Sequence, residues 1–275
     1  MMMLILLEQW ALVMAYILAL VYYVRAFRSG RVPESIRAGR LLTLAVGLHF
    51  FYLIHLTIFV GHLPVTDVFE AITTCVWLFG TVYLSLEWRL KEYSLGSFIL
   101  PVIIALQIVS NLFLDFNRVL PAILQDAVFE VHVLMILLSY SAFAISFIAS
   151  LLYLLLSRDL ERKNLGLFYR RLPSLAFFDS LSNFAVNIGL IFLTAGVGLG
   201  IYVGAEIPEP FFNTLDPKFV AVGLTWLIYV FHLFSRRAGG WQGKKVAMIS
   251  LFGFGWVLFS FLVVSLVFSK VHQFQ

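Results

Sequence analysis

The feature that most constrains this chain is the separation of its charges from its apolar runs. Eight long hydrophobic stretches carry almost no charge, and Lys and Arg gather in every second gap between them. A helix needs about 20 apolar residues to cross a hydrocarbon core. The stretches at 3–24, 40–60, 68–87, 94–114, 128–156, 184–205, 217–235 and 246–268 meet or approach that length. They are continuous and lack the period-two alternation of barrel strands, so helices are predicted. With 61% hydrophobic residues, 12% charged residues and a mean hydropathy of +0.96, the charged fraction is about half that of an ordinary soluble domain. The expectation is an all-α polytopic membrane protein, a bundle of eight transmembrane helices forming one domain over 1–275.

Orientation follows from the basic residues. Gaps 25–40, 88–93, 157–183 and 236–245 hold sixteen of the nineteen Lys and Arg, and Arg118, Lys218 and Lys270 are left for the opposite side. The positive-inside rule places the four basic gaps in the cytoplasm and both termini outside. The net charge of +4 is then explained by anionic lipid at the cytoplasmic face, and no nucleic-acid partner is expected. The first apolar run has no basic region before it and no small-residue cleavage pattern, so it reads as a retained span. Cys75, the single cysteine, lies inside the third stretch, which excludes an internal disulfide and a CxxC redox pair.

Two gaps stand out. Gap 157–183 mixes Leu165, Phe168, Leu172, Leu175, Phe177 and Phe178 with its arginines, which predicts a helix lying on the cytoplasmic face. A docking surface for a cytoplasmic enzyme, using Arg170 and Arg171, is the alternative. The segment 206–217, with Glu206, Pro208, Pro210, Phe211, Phe212, Asp216 and Pro217, faces outward and reads as a lid. Before it, Gly196, Gly200 and Gly204, with Gly189 and Gly198 nearby, leave a helix stripe without side chains. Either another helix or a flat ligand packs there.

Six histidines carry the chemistry. His49 and His55 fall within the second stretch and His62 at its outer end. His132 lies about a turn inside the fifth, His232 near the inner end of the seventh, and His272 just past the eighth. Lipid offers no partner to an imidazole, so such residues mark functional sites by default, with interhelical hydrogen bonds as the alternative for any one of them. No HxxxH or HExxH occurs and acids inside the spans are few, Glu8 being near an outer end. Neutral imidazoles from different helices in an aromatic bundle suit a haem iron better than a bare divalent ion. Counting 1.5 Å per residue, His49 lies about 14 Å from the cytoplasmic boundary and His232 about 6 Å, a mismatch of about 8 Å for an inner pair.

Three stretches show a family likeness. The first is His49 followed by Gly61-His62-Leu-Pro64-Val-Thr-Asp67-Val-Phe-Glu70. The second is Val131-His132 with Ser139-Tyr140 and Tyr153. The third is Asp216-Pro217-Lys218 running into Thr225-Trp226 and His232, and ending at Val271-His272. In that order they resemble the CcsA/ResC/HemX group of cytochrome c assembly membrane proteins, especially its short eight-helix HemX or YpjD kind. The resemblance implies a bacterial cytoplasmic membrane protein that handles haem b and works with partner proteins of cytochrome c assembly or haem synthesis. By position it implies an outer ligand pair, His132 and His272, and an inner pair, His49 and His232, with Phe211, Phe212 and Asp216 beside the porphyrin. Where the haem-presenting members have a tryptophan-rich stretch ending in Trp-Asp-Pro-Lys, this chain reads Phe211-Phe212-Asn213-Thr214-Leu215-Asp216-Pro217-Lys218. A HemX-like regulator or scaffold of tetrapyrrole synthesis without stable haem is therefore the competing reading. Neither reading makes the chain a self-contained enzyme.

Overall fold

A computed structural model describes residues 2–114, 126–163, 166–205 and 217–261. Among them the helices are α1 (Met2–Ser29), α2 (Val32–Val60), α3 (Val68–Leu90), α4 (Gly96–Phe113), α5 (Ala127–Glu161), α6 (Leu167–Arg171), α7 (Leu175–Ala205), α8 (Pro217–Arg237) and α9 (Lys244–Leu258). Apart from the short α6, each is long and apolar enough to cross a membrane, α9 together with its helical continuation to Phe261. The protein is all-helical, as its apolar runs predict.

Two helix starts differ from the hydropathy reading. α2 begins at Val32 rather than 40, and α7 begins at Leu175 rather than 184. Charge marks where hydrocarbon ends, whereas the backbone ladder continues into the headgroup region wherever turn chemistry permits. At α2 the turn is Gly30, with φ +66, and Pro33 stands in the first helical turn, where its missing N–H costs nothing. At α7, the Ser174 hydroxyl accepts from the Phe177 N–H at 3.2 Å. The described residues of 157–183 therefore include the end of α5, the one-turn helix α6, and the first turns of α7.

The chain packs as two compact units. The first contains α1 to α4 and α6. Its α1 packs on α2 and α4, and α3 packs on α2 and α4, so the four long helices close into a bundle. The joints are built by sequence. Gly61 takes φ +86 and donates its N–H to the Thr57 carbonyl at 2.9 Å, ending α2. Asp67 then caps α3 in a capping box with Glu70, whose carboxylate also accepts from the Thr66 hydroxyl at 2.7 Å. Most of the 61–70 signature is thus helix punctuation. α6 is tied to the same unit. Phe168 packs edge-on against Phe27 and tilted against Phe98, and the Arg171 guanidinium donates to the carbonyls of Arg28 (3.2 Å) and Ser29 (2.9 Å). A cation on the last carbonyls of α1 satisfies groups that have no helical partner and complements the helix dipole.

The second unit contains α5 through Arg158, with α7, α8 and α9. Four buried serines join three of these helices: Ser146 and Ser150 of α5 lie 2.8 and 2.9 Å from Ser182 of α7, and Ser146 donates to Ser250 of α9 at 3.2 Å. Near the basic end, Arg236 of α8 forms a two-pronged ion pair with Asp179 of α7, which also accepts from the Gly243 N–H at 3.2 Å. The glycine stripe receives α5. A Cβ at Gly189 would lie 2.5 Å from the Phe143 ring, and one at Gly196 would lie 2.7 Å from Ile136 Cδ1. Of the two occupants the stripe allows, a neighbouring helix fills these positions.

Candidate functional site

The described histidines divide between the units. His49, His55 and His62 belong to the first, and His132 and His232 to the second. His272, Phe211, Phe212 and Asp216 lie outside the described residues.

His49 sits on α2 at zero exposure. Its Nδ1 is 3.0 Å from the Tyr16 hydroxyl of α1, and its Nε2 is 3.1 Å from the Thr73 hydroxyl of α3. The direction of these bonds can be worked out. Thr73 gives its hydrogen to Gln107 Oε1 of α4 at 3.1 Å, so its oxygen accepts from His49 Nε2–H. Nδ1 then carries the lone pair and Tyr16 O–H donates to it. Gln107 continues the line to Asn111 at 2.8 Å, and the Asn111 amide donates to the Gln9 carbonyl at 2.8 Å. The line runs one way from Tyr16 to Gln9, and each of its donors meets one acceptor. In a lipid-surrounded bundle this satisfies groups that would otherwise be costly to bury.

His232 differs. It is also at zero exposure, but neither ring nitrogen has a hydrogen-bond partner among the described residues. One turn earlier, Tyr229 stacks on Phe143 with centroids 3.6 Å apart and planes 6° apart. The Asp179–Arg236 ion pair is within electrostatic reach of the His232 ring. A buried imidazole with no hydrogen bond to either nitrogen is exceptional.

His132, on α5, is oriented by backbone. Its Nδ1 donates to the Gly196 carbonyl at 2.6 Å, and its ring lies against Gly200, where a Cβ would be 2.6 Å from Cε1. Anchoring one ring nitrogen on a carbonyl is the arrangement that orients a metal-ligating histidine.

The remaining two histidines have partners within the first unit. His55 Nδ1 contacts both carboxylate oxygens of Glu8, at 2.9 and 3.1 Å. His62 Nδ1 donates to the Leu63 carbonyl at 2.9 Å and lies 4.0 Å from Glu70. Among the described residues, no group of three His, Cys, Asp or Glu is arranged to hold a metal ion.

Sequence reasoning missed two features. The polar partners of His49 are single residues on three other helices, and the only signal was that Thr73, Gln107 and Asn111 interrupt apolar runs. Glu87, at the very edge of the third stretch, is buried with one carboxylate oxygen accepting from both Tyr23 and Tyr83. Of the two arginines considered for docking a partner, Arg171 is engaged on α1 as described above.

The profile of the family described as Cytochrome C assembly protein matches residues 4–272 of this chain. The chain belongs to that family. Among similar curated proteins, the cytochrome c biogenesis protein CcsA of Trieres chinensis is 26% identical over 270 residues, covering 86% of each chain. CcsA of Chlorella vulgaris is 26% identical over 246 residues, covering 78% of each. CcsA of Chlamydomonas reinhardtii is 29% identical over 228 residues, covering 78% of this chain and 61% of its own. As a cytochrome c assembly protein, the chain is a multi-pass membrane protein of the cytochrome c biogenesis type.

Proposed function

We propose that this protein holds haem b in the membrane through axial histidines and passes it toward cytochrome c assembly, with its basic loops on the cytoplasmic side of a bacterial membrane and both termini outside. The outer pair is His132 with His272, with Phe211, Phe212 and Asp216 beside the porphyrin, and the inner pair is His49 with His232. The observation that carries the reading is His232, a fully buried imidazole with no hydrogen bond to either nitrogen among the described residues.

The residues fit the group. Haem iron accepts neutral imidazole nitrogen, and an apolar aromatic surround suits the porphyrin. The chain's own contribution is to hold and orient. His232 offers two nitrogens without competing bonds among the described residues. His132 is oriented by its Nδ1–H on Gly196 O. His49 enters a ligand pair only by giving up its bond to Tyr16 or to Thr73, which makes it an exchangeable ligand. When bound, the haem supplies the iron that accepts these lone pairs and the macrocycle that is handed on.

The test is haem retained on purification, read by oxidised and dithionite-reduced spectra and a pyridine haemochrome assay. His232→Ala and His132→Ala are each expected to lower occupancy while helix content stays unchanged. Wild-type occupancy and spectra in both variants would sink the ligand assignment.

A further inference from the structure

The glycine stripe of α7 does more at Gly200 than admit a neighbouring helix. His132 Nδ1 lies 2.6 Å from the Gly196 carbonyl oxygen. A carbonyl only accepts, so Nδ1 carries the hydrogen, and in a neutral imidazole the lone pair is then on Nε2. Gly196 O is also the helical acceptor for the Gly200 N–H, because α-helical bonds run from i to i−4. The histidine therefore uses the second lone pair of a carbonyl already in the ladder.

That lone pair is normally covered. Helical side chains tilt toward the N-terminus, so a side chain at position i shields the carbonyl four residues earlier. Position 200 has none, and the imidazole occupies the space. A Cβ there would sit 2.6 Å from His132 Cε1, 2.9 Å from Nδ1 and 3.3 Å from Nε2. All three are rigid ring atoms, so any side chain must push the ring off the carbonyl. Gly198, two residues earlier, has nothing within 4 Å of its would-be Cβ, which makes it a control on the same helix.

We propose that Gly200 is a positioning residue for His132: by leaving the Gly196 carbonyl open, it fixes the imidazole in the tautomer with hydrogen on Nδ1 and the lone pair on Nε2. In the reading above, on which this consequence rests, Nε2 is the nitrogen offered to iron. Losing an orienting hydrogen bond of this kind typically lowers metal-ligand affinity about 10-fold to 100-fold.

The experiment uses the full chain in detergent, labelled with 15N-histidine and free of haem, so that the tautomer is read without the cofactor. The His132 signal is assigned by its disappearance in His132→Gln. Wild type and Gly198→Ala are expected to show hydrogen on Nδ1, and Gly200→Ala to lose that pattern. Haem titration of the same proteins is then expected to show about 10-fold to 100-fold weaker binding in Gly200→Ala and wild-type binding in Gly198→Ala. Hydrogen on Nε2 of His132 in the wild type overturns the proposal even if Gly200→Ala fails to fold. An unchanged tautomer in a folded Gly200→Ala overturns it as well. The expected tautomers, with wild-type haem affinity in both His132→Ala and Gly200→Ala, uphold the positioning and overturn the ligand reading instead.

Discussion

His49 and His232 are both completely buried on membrane-crossing helices, yet the fold treats them in opposite ways. The first unit surrounds His49 with Tyr16, Thr73 and, beyond them, Gln107 and Asn111, so that both ring nitrogens are satisfied from within the chain. The second unit buries His232 with no hydrogen bond from any described residue. Burial of an imidazole in lipid is costly in either case. In the first unit the chain compensates that cost by itself. In the second, no hydrogen bond among the described residues compensates it.

Four substitutions test this contrast, with thermal unfolding in detergent as the measurement. The largest effect is expected for His49→Ala, which strands the Tyr16 hydroxyl and the Thr73 oxygen and leaves a ring-sized void. Hydrogen bonds within membranes average about 0.6 kcal/mol and a large-to-small change in a core costs about 2–5 kcal/mol, so a loss of about 3 kcal/mol is expected. A negligible change would mean that the hydrogen-bond line does not hold the unit. Next is Thr73→Val, which keeps the shape but removes the bonds to both His49 and Gln107. A loss of about 1–2 kcal/mol is expected, and stability at the wild-type level would show that His49 has another partner. Tyr16→Phe removes one bond only and is expected to lower stability by about 0.6 kcal/mol. A loss as large as that of His49→Ala would show that the Tyr16 hydroxyl does more than donate to Nδ1. The smallest effect belongs to haem-free His232→Leu. It replaces an unpartnered imidazole with an apolar side chain and is expected to leave unfolding within about 0.5 kcal/mol of wild type or slightly above it. A marked destabilisation would reveal a hidden partner and remove the asymmetry.

Much of the architecture was legible in the sequence because bilayer thickness imposes a length on every crossing. Each helix of 18 residues or more lies where an uncharged run predicted one. The ends were less legible. Arg37 and Arg40 set the expected boundary of the second span, but the Gly30 turn and Pro33 start α2 at Val32. The histidines at risk in lipid were legible too, since an imidazole in an apolar run is visible without a structure. Which of them would be satisfied was not. That depends on the rotation of α1, α3 and α4 about their axes, which brings Tyr16 and Thr73 to His49 from 33 and 24 residues away. The Gly196–Gly200 spacing announced close packing, but only the position of α5 shows that a histidine, rather than a plain aliphatic side chain, lies against Gly200.

The Asp179–Arg236 pair has a consequence in time. Its members are 57 residues apart, and α7 between Leu175 and Ala205 contains no Lys or Arg of its own. At a synthesis rate of about 5–20 residues per second, the carboxylate leaves the ribosome roughly 3–11 s before its arginine. Throughout that interval the Asp179 carboxylate lacks the guanidinium that pairs with it in the folded unit. The joint at this end of α7 is therefore completed only once α8 and the Gly243 turn have followed it out of the ribosome.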